Sequence, residues 1–563
     1  MAKLTPLAKG LITLVVIGGT AAAAWHLGLR ELVQSRSATP ATSTSTPTPP
    51  STSTSSRPAT SPVATTKPGN GPLGSANNPL KVSLVSFHGY APALLANGKS
   101  LKTQAGSIYD RLGVNVEFLI QDDIPTLTTI FESNTAQCAW RTSDFWAQEQ
   151  PNLRNSGHDG RAIIVVDNTQ GGDAIITRDP AIRRVEDLAG RTVALLQFTP
   201  SDGMTIDAIE NSSMTARAKN SVRYVYINAE EGTAGVRAAF AAGNVDAAAL
   251  WDPDLSLALK NVPGAHVVYS TRTATNLIYD VIVCDSRVLD NPANTNTFQA
   301  FVAGWLEGVE VARKAPDDAV DALVRTEEFF TLLAKDQGRD FVKSLFQNLV
   351  WTGLEDNARI LGLVGGTNHY ERVYRRFDGI YRRAGALANP NSPVIAPQDS
   401  FDTRFVSKLL AKSQAAQQAA AQPEYTFSER EREQMSQQPA SVTKPVTVTF
   451  ATASAELTKR AQKTLDDEMV PFIENNGSAY FEISGNTDST GSREVNMRLS
   501  RARAQAVVDY LVTQWEFERA RFRIVGNGPD RPICNEASPQ SENLTLEECR
   551  ALNRSTRAAV LAR

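Results

Sequence analysis

Five histidines and four cysteines are all that 563 residues hold of the side chains that most often bind transition metals. The histidines form no H-E-x-x-H pair and the cysteines no C-x-x-C pair, so no metal site is expected. There is no nucleophile elbow and no glycine-rich dinucleotide fingerprint. Gly98-Lys99-Ser100 imitates the end of a phosphate-binding loop, but Ala93 stands where that loop needs its first glycine. Catalytic residues and a cofactor are therefore not expected. One-sided charge is lacking too: 57 Lys and Arg against 60 Asp and Glu leave a net charge of −3, with no basic excess to recommend nucleic acid.

What is present is ordinary globular material, 42% hydrophobic and 21% charged, in a chain long enough for three or four units of about 150 residues. Residues 1–34 contain the apolar run 10–28, GLITLVVIGGTAAAAWHLG, behind Lys3 and Lys9. At ~20 residues it is long enough to span a bilayer as a helix, with the lysines holding its start in the cytoplasm. The preferred reading is a retained inner-membrane anchor with the bulk of the chain in the periplasm. The rival is a cleaved signal peptide, for which residues 21–24 offer A-x-A sites, and which would release the chain to the periplasm. No cysteine follows to form a lipobox. The run also has no carboxylate, which argues against an ion-carrying stator helix.

Residues 35–72 are dominated by Ser, Thr and Pro. They cannot bury a core and are read as an extended tether reaching on the order of 100 Å at ~3.1 Å per residue. A second break, residues 412–441, is rich in Ala, Gln and charge and is read as a partly helical linker.

Between them, residues 73–411 alternate short β-branched runs with helical patterns, the mark of α/β organisation. Strands are expected at 80–86, 115–120, 161–166, 174–177, 192–196, 222–227, 247–250, 266–270 and 279–284, and helices dominate from Asn296 onward. Val185-Glu186-Asp187-Leu188-Ala189-Gly190-Arg191-Thr192-Val193, Thr199-Pro200-Ser201-Asp202, and Ala241 to Ala248 running into Leu250-Trp251-Asp252-Pro253 carry a resemblance. In order and spacing this region resembles a type II periplasmic solute-binding protein of the sulfonate, nitrate and taurine or phosphate-like group. The resemblance implies two lobes, about 78–170 with 278–411 and about 172–275, crossed by two segments with a solute cleft between them.

Loops at strand ends and helix N-termini line such clefts. The wall candidates are therefore Ser86 and His88 with Phe87, then Thr142 and Ser143 with Asp144, then Thr199 and Ser201, and Trp251 with Asp252. Ser201 and Asp202 have an equally plain role as helix caps. Hydroxyls and helix N-termini suit an oxyanion, whereas Asp144, Asp173, Asp202 and Asp252 would repel one and suit a cation or zwitterion. The sequence leaves that choice open. It also leaves open whether Cys138 and Cys284 pair or stay free.

Near the end, residues 480–483 read as a half-buried strand ending at Gly485, followed by Thr487-Asp488 and Gly491, then Asn496, then Leu499-Ser500 with Arg503-Ala504. Leu499, Ala502, Ala506 and Tyr510 recur at helical spacing as the expected buried stripe, with Arg503 at its edge. This pattern resembles the OmpA-like peptidoglycan-binding domain, an α+β fold expected over 442–563 with its first strand at 446–450 and its close near Asn553-Arg554-Ser555-Thr556-Arg557. In that family the Asp and the Arg hold diaminopimelate of the stem peptide, which carries the roles over to Asp488 and Arg503, with Thr487 and Asn496 in the motif around them. An ammonium beside a carboxylate is what an Asp and a forked Arg satisfy. An insertion at 529–548 departs from the family pattern; Cys534 and Cys549 bound it and are expected to pair, closing a loop worth roughly 3 kcal/mol in an oxidising compartment.

These readings imply a cell-envelope protein that grips peptidoglycan and presents a domain for a small-molecule solute, handed on to an ABC permease. The alternative is a structural tether whose middle domain binds a protein partner or no solute.

Overall fold

The computed structural model describes residues 70–421, 427–448, 450 and 454–561. The apolar run 10–28 and the tether read over 35–72 lie outside them, except for the last three residues of the tether. Among the described residues no helix is long and apolar enough to cross a membrane.

The chain builds one sheet, leaves it for a second, and returns. In spatial order the first sheet runs Leu349–Trp351, Gly160–Thr169, Tyr279–Asp285, Cys138–Thr142, Leu80–Leu84 and Val116–Ile120. The second runs Arg223–Ile227, Thr192–Leu196, Ala247–Trp251, Asp173–Thr177 and His266–Ser270. Only residues 170–172 separate the strand Gly160–Thr169 of one sheet from Asp173–Thr177 of the other, and residues 271–278 make the return. Two crossings of this kind define two α/β lobes with a cleft between them. The helices Thr295–Lys314 and Pro316–Thr326 follow the return, split where Pro316 removes an amide donor.

Sequence periodicity missed two strands, Cys138–Thr142 and Leu349–Trp351. The first, CAWRT, has no alternation because all five residues are buried. Its charge is met inside the protein: Arg141, 2% exposed, donates to the Glu149 carboxylate through Nε and through Nη2, the latter at 2.9 Å. A disulfide joins Cys138 to Cys284, which face each other on adjacent antiparallel strands.

A third sheet, ordered Ala440–Val446, Thr556–Leu561, Tyr480–Asn486 and Phe522–Gly528, carries the C-terminal region. Its first strand corrects the expectation of 446–450 and begins inside the segment read as linker, which also holds the helices Gln414–Ala420 and Glu429–Ser436. The local pattern ASVTKPV is a weak strand signal; its antiparallel pairing with Thr556–Leu561, more than a hundred residues away, makes it one. The helix Arg493–Trp515 lies tightly on this sheet. A Cβ on Gly485 would fall 1.9 Å from the Ser500 carbonyl oxygen and one on Gly526 2.7 Å from the Arg501 nitrogen, so neither position admits a side chain. The buried face of that helix is Asn496, Ser500, Ala504, Val507, Val508 and Leu511, rather than the expected Leu499, Ala502, Ala506 and Tyr510. Two glycines let the helix approach by its small residues, which rotates the stripe.

The C-terminal region packs on both lobes and on the returning crossover. Thr443 N donates to Glu186 Oε1 (2.9 Å), Asn276 Nδ2 donates to the Glu474 carbonyl (2.8 Å), and Arg372 forms an ion pair with Glu474.

Candidate functional site

A cavity of about 330 Å³ opens between the lobes. Its walls are aromatic and acidic. Phe87, Trp140, Phe145, Trp251 and Phe329 supply rings; Asp122, Asp123, Asp173, Asp252, Asp254, Asp280 and Glu231 supply carboxylates. No Lys, Arg or His lines it among the described residues. Basic groups nearby have partners of their own: Arg237 ion-pairs with Asp254, itself a wall residue, Arg272 donates to Asn348 Oδ1 (2.8 Å), and Arg141 is tied to Glu149.

Several of these acids are buried on the cavity floor where the crossings meet. Trp140 Nε1 donates to Asp280 Oδ1 (2.6 Å), and Asn348 Nδ2 donates to Asp252 Oδ2 (2.7 Å). Burial pushes Asp280 and Asp252 up to about 6, against the hydrogen bonds that favour their charged forms. Burial also raises Asp173 well above the usual carboxylate range, with the charge of Asp280 adding to it. Behind the floor, Asp167 is raised in the same way, by burial and then by Asp280.

Of the wall candidates read from the sequence, Ser86, Thr142, Trp251 and Asp252 line the cavity, as does Phe87. His88, Ser143, Thr199 and Ser201 do not. His88 is fully buried with its ring 4.3 Å from that of Phe87, and burial lowers it to about 3, so it is a neutral core residue. The Ser143 hydroxyl accepts from Tyr279 N (3.2 Å), and the Thr199 hydroxyl donates to the Leu196 carbonyl (2.7 Å). Ser201 is buried within the helix Pro200–Glu210, whose first residue, Pro200, reaches the cavity instead. Ser86 holds the rim acid: its N and Oγ donate to Asp122 at 2.6 and 3.0 Å. Sequence reasoning missed Trp140, Asp280 and Phe329. Asp280 carried a signal, since it is the second residue of the strand that follows a predicted crossing; Phe329 comes from a distant helix and carried none.

In the C-terminal region Asp488 sits on the loop after the strand Tyr480–Asn486. Its Oδ1 accepts from Thr490 N (3.0 Å) and its Oδ2 from Arg554 Nη1 (2.7 Å). Asn496, on the helix, donates from Nδ2 to the Thr490 carbonyl (2.9 Å) and so pins that loop. Thr487 is buried, with its N donating to the Gly528 carbonyl (2.9 Å). Arg503 is half-buried; its Nε donates to the Ser454 carbonyl (3.1 Å) and its guanidinium lies 4.8 Å from the centre of the Phe450 ring. Burial lowers the pKa of Arg503 and the charge of Asp488 opposes that shift, so the two groups sense each other. They form no ion pair, and the cation in contact with Asp488 is Arg554. Arg554 is placed by its neighbours. Cys534 is joined to Cys549, and Asn553 Nδ2 donates to the Cys534 carbonyl (2.9 Å), which fixes the end of the helix Leu546–Asn553.

Comparison with known proteins finds two separate regions of the chain. Residues 113–319 match the NMT1/THI5-like family and residues 449–545 match the OmpA family. Curated relatives match short stretches of the chain. The probable lipoprotein YiaD of Escherichia coli (strain K12) is 36% identical over 98 residues, 17% of this chain and 44% of that protein. Outer membrane porin F of Pseudomonas aeruginosa is 34% identical over 94 residues, 17% and 25% of the two chains. The peptidoglycan-associated lipoprotein of Pseudomonas putida is 36% identical over 92 residues, 16% and 54%. The chain thus spans about half or less of the length of these relatives. Among solved structures, the periplasmic aliphatic sulphonate binding protein SsuA from Escherichia coli matches 58% of this chain and 98% of its own at 16% identity and a TM-score of 0.44. One chain thus joins a region similar to the NMT1/THI5-like family, built as two α/β lobes, to a C-terminal region similar to the OmpA family.

Proposed function

We propose that this protein is a cell-envelope receptor that holds peptidoglycan through its OmpA-family region and captures a small solute in the interlobe cleft for an ABC-type uptake system. The observation that carries the reading is the presence, in one chain, of an interlobe cleft and of Asp488 and Arg503 on adjoining elements of the OmpA-family region. Diaminopimelate ends in an ammonium beside a carboxylate. Asp488, held in place by Thr490 N, takes the ammonium, and the forked Arg503, with Nε engaged, takes the carboxylate through its outer nitrogens. Thr487 and Asn496 shape the loop. The ammonium also displaces Arg554 from Asp488, and Glu547, already paired with Arg554, receives it. The relatives named as peptidoglycan-associated support this half of the reading. Anchorage at the inner membrane through residues 10–28 would keep the receptor within reach of both wall and permease.

The test is a pull-down of the full chain on purified sacculi, with Asp488→Ala and Arg503→Ala. Both variants are expected to lose most of the binding. Retention of both at the level of the parent chain overturns the assignment.

A further inference from the structure

The walls of the interlobe cleft carry a ligand chemistry unlike that of a site for an oxyanion. An anion receptor needs donors or cations on its walls, because an unpaired carboxylate near a bound anion costs binding energy in a low-dielectric cleft. Here the described walls have neither Lys, Arg nor His, the wall hydroxyls of Ser86 and Thr233 donate to Asp122 and Asp254, and the nearby Arg237 and Arg272 are held by the wall residue Asp254 and by Asn348. Instead Asp173, 3% exposed, and Asp280, 2% exposed, line the cavity with no cation in ion-pair contact, and Asp252 reaches it beside them. Trp140, Trp251 and Phe329 line the same space, and ring faces next to carboxylates are what an organic ammonium needs: charge on one side, polarisable apolar surface on the other.

We propose that the cleft binds a small organic cation, its charged group met by Asp173, Asp280 and Asp252 and its apolar body laid against Trp140, Trp251 and Phe329. This rests on the receptor reading above and names the solute class for that site. The volume of about 330 Å³ suits a ligand of metabolite size. Binding supplies the counter-charge the floor lacks, so the buried acids give up protons as the cation enters. The neighbouring Asp167, Asp144 and Tyr90 are acidic or neutral; the positive charge that reaches the floor is that of Arg272, held by Asn348, and it is the smallest of the influences on Asp252.

The experiment uses the full chain in calorimetry and thermal melts with choline, benzyltrimethylammonium and putrescine, with 3,3-dimethylbutanol as the neutral isostere of choline, and with ethanesulfonate and nitrate as anions. At least one cation is expected to bind saturably, and the neutral isostere ~10-fold or more weakly than choline where choline binds. Asp173→Asn and Asp280→Asn preserve shape and are each expected to weaken the cation by ~10-fold or more. Trp251→Leu, which leaves every acid in place, is expected to weaken benzyltrimethylammonium more than putrescine. Binding of ethanesulfonate, nitrate or the alcohol with no cation binding overturns the solute class and leaves the receptor reading standing. Absence of binding by every probe overturns both. Cation binding that survives both Asn variants unchanged overturns the assigned residues.

Discussion

Trp140 Nε1 donates a 2.6 Å hydrogen bond to Asp280 Oδ1, which ties a ring of the cleft wall to a carboxylate on the adjacent antiparallel strand. The donor favours the charged form of an acid that burial otherwise raises to about 6. Trp140→Phe keeps a ring and removes the donor, so the titration midpoint of Asp280 is expected to move further up. Carboxyl NMR titration of the two proteins reads the shift; an unmoved or lowered midpoint contradicts it.

Asp144 supplies a pH dependence of stability. Burial raises it to about 7 in the folded protein, whereas an unfolded Asp titrates near ~3.9. The folded state therefore holds this proton more tightly, and its stabilising contribution is complete below about 4 and lost as pH rises through about 7. Asp144→Asn is permanently neutral. Between pH 4 and pH 8 the parent protein is expected to lose stability relative to the variant by on the order of a few kcal/mol, measured by urea unfolding. Parallel pH curves for the two proteins would refute this.

The Arg141–Glu149 pair is buried, and Thr128 Oγ1 adds a 2.7 Å hydrogen bond to the same carboxylate. Glu149→Ala leaves a guanidinium without a counter-charge and is expected to cost about 3–5 kcal/mol. Glu149→Met with Arg141→Met is expected to cost less than the single change, because no charge is left buried. A double variant as unstable as Glu149→Ala would show that packing, not charge, sets the loss.

The Cys138–Cys284 disulfide closes a loop of sequence separation 146 across the first sheet. Replacing both cysteines with serine is expected to lower stability by roughly 2–5 kcal/mol through the unfolded chain, with the solute cleft keeping its affinity. Comparing chemical denaturation midpoints with ligand titrations separates the two effects.

Much of this architecture was legible in order along the chain. The strands at 192–196 and 266–270, the break at Pro316 and the loop carrying Asp488 all follow from local rules, since burial periodicity, proline and turn residues act within a few positions. What the local pattern could not carry is whatever depends on a distant partner. Cys138–Thr142 is a strand because Leu80–Leu84 and Tyr279–Asp285 pair on either side of it, and Ala440–Val446 is one because Thr556–Leu561 returns beside it.

The sequence by itself determined that two regions of different character lie along one chain, because that is a property of short motifs in a set order. Tertiary structure alone decided that Arg554 rather than Arg503 touches Asp488, and that acids and rings, with no base among the described residues, line the cleft. A side chain's counter-charge is chosen by proximity in space, and loops from residues 86 to 329 come together there only once two crossings have folded the lobes toward each other.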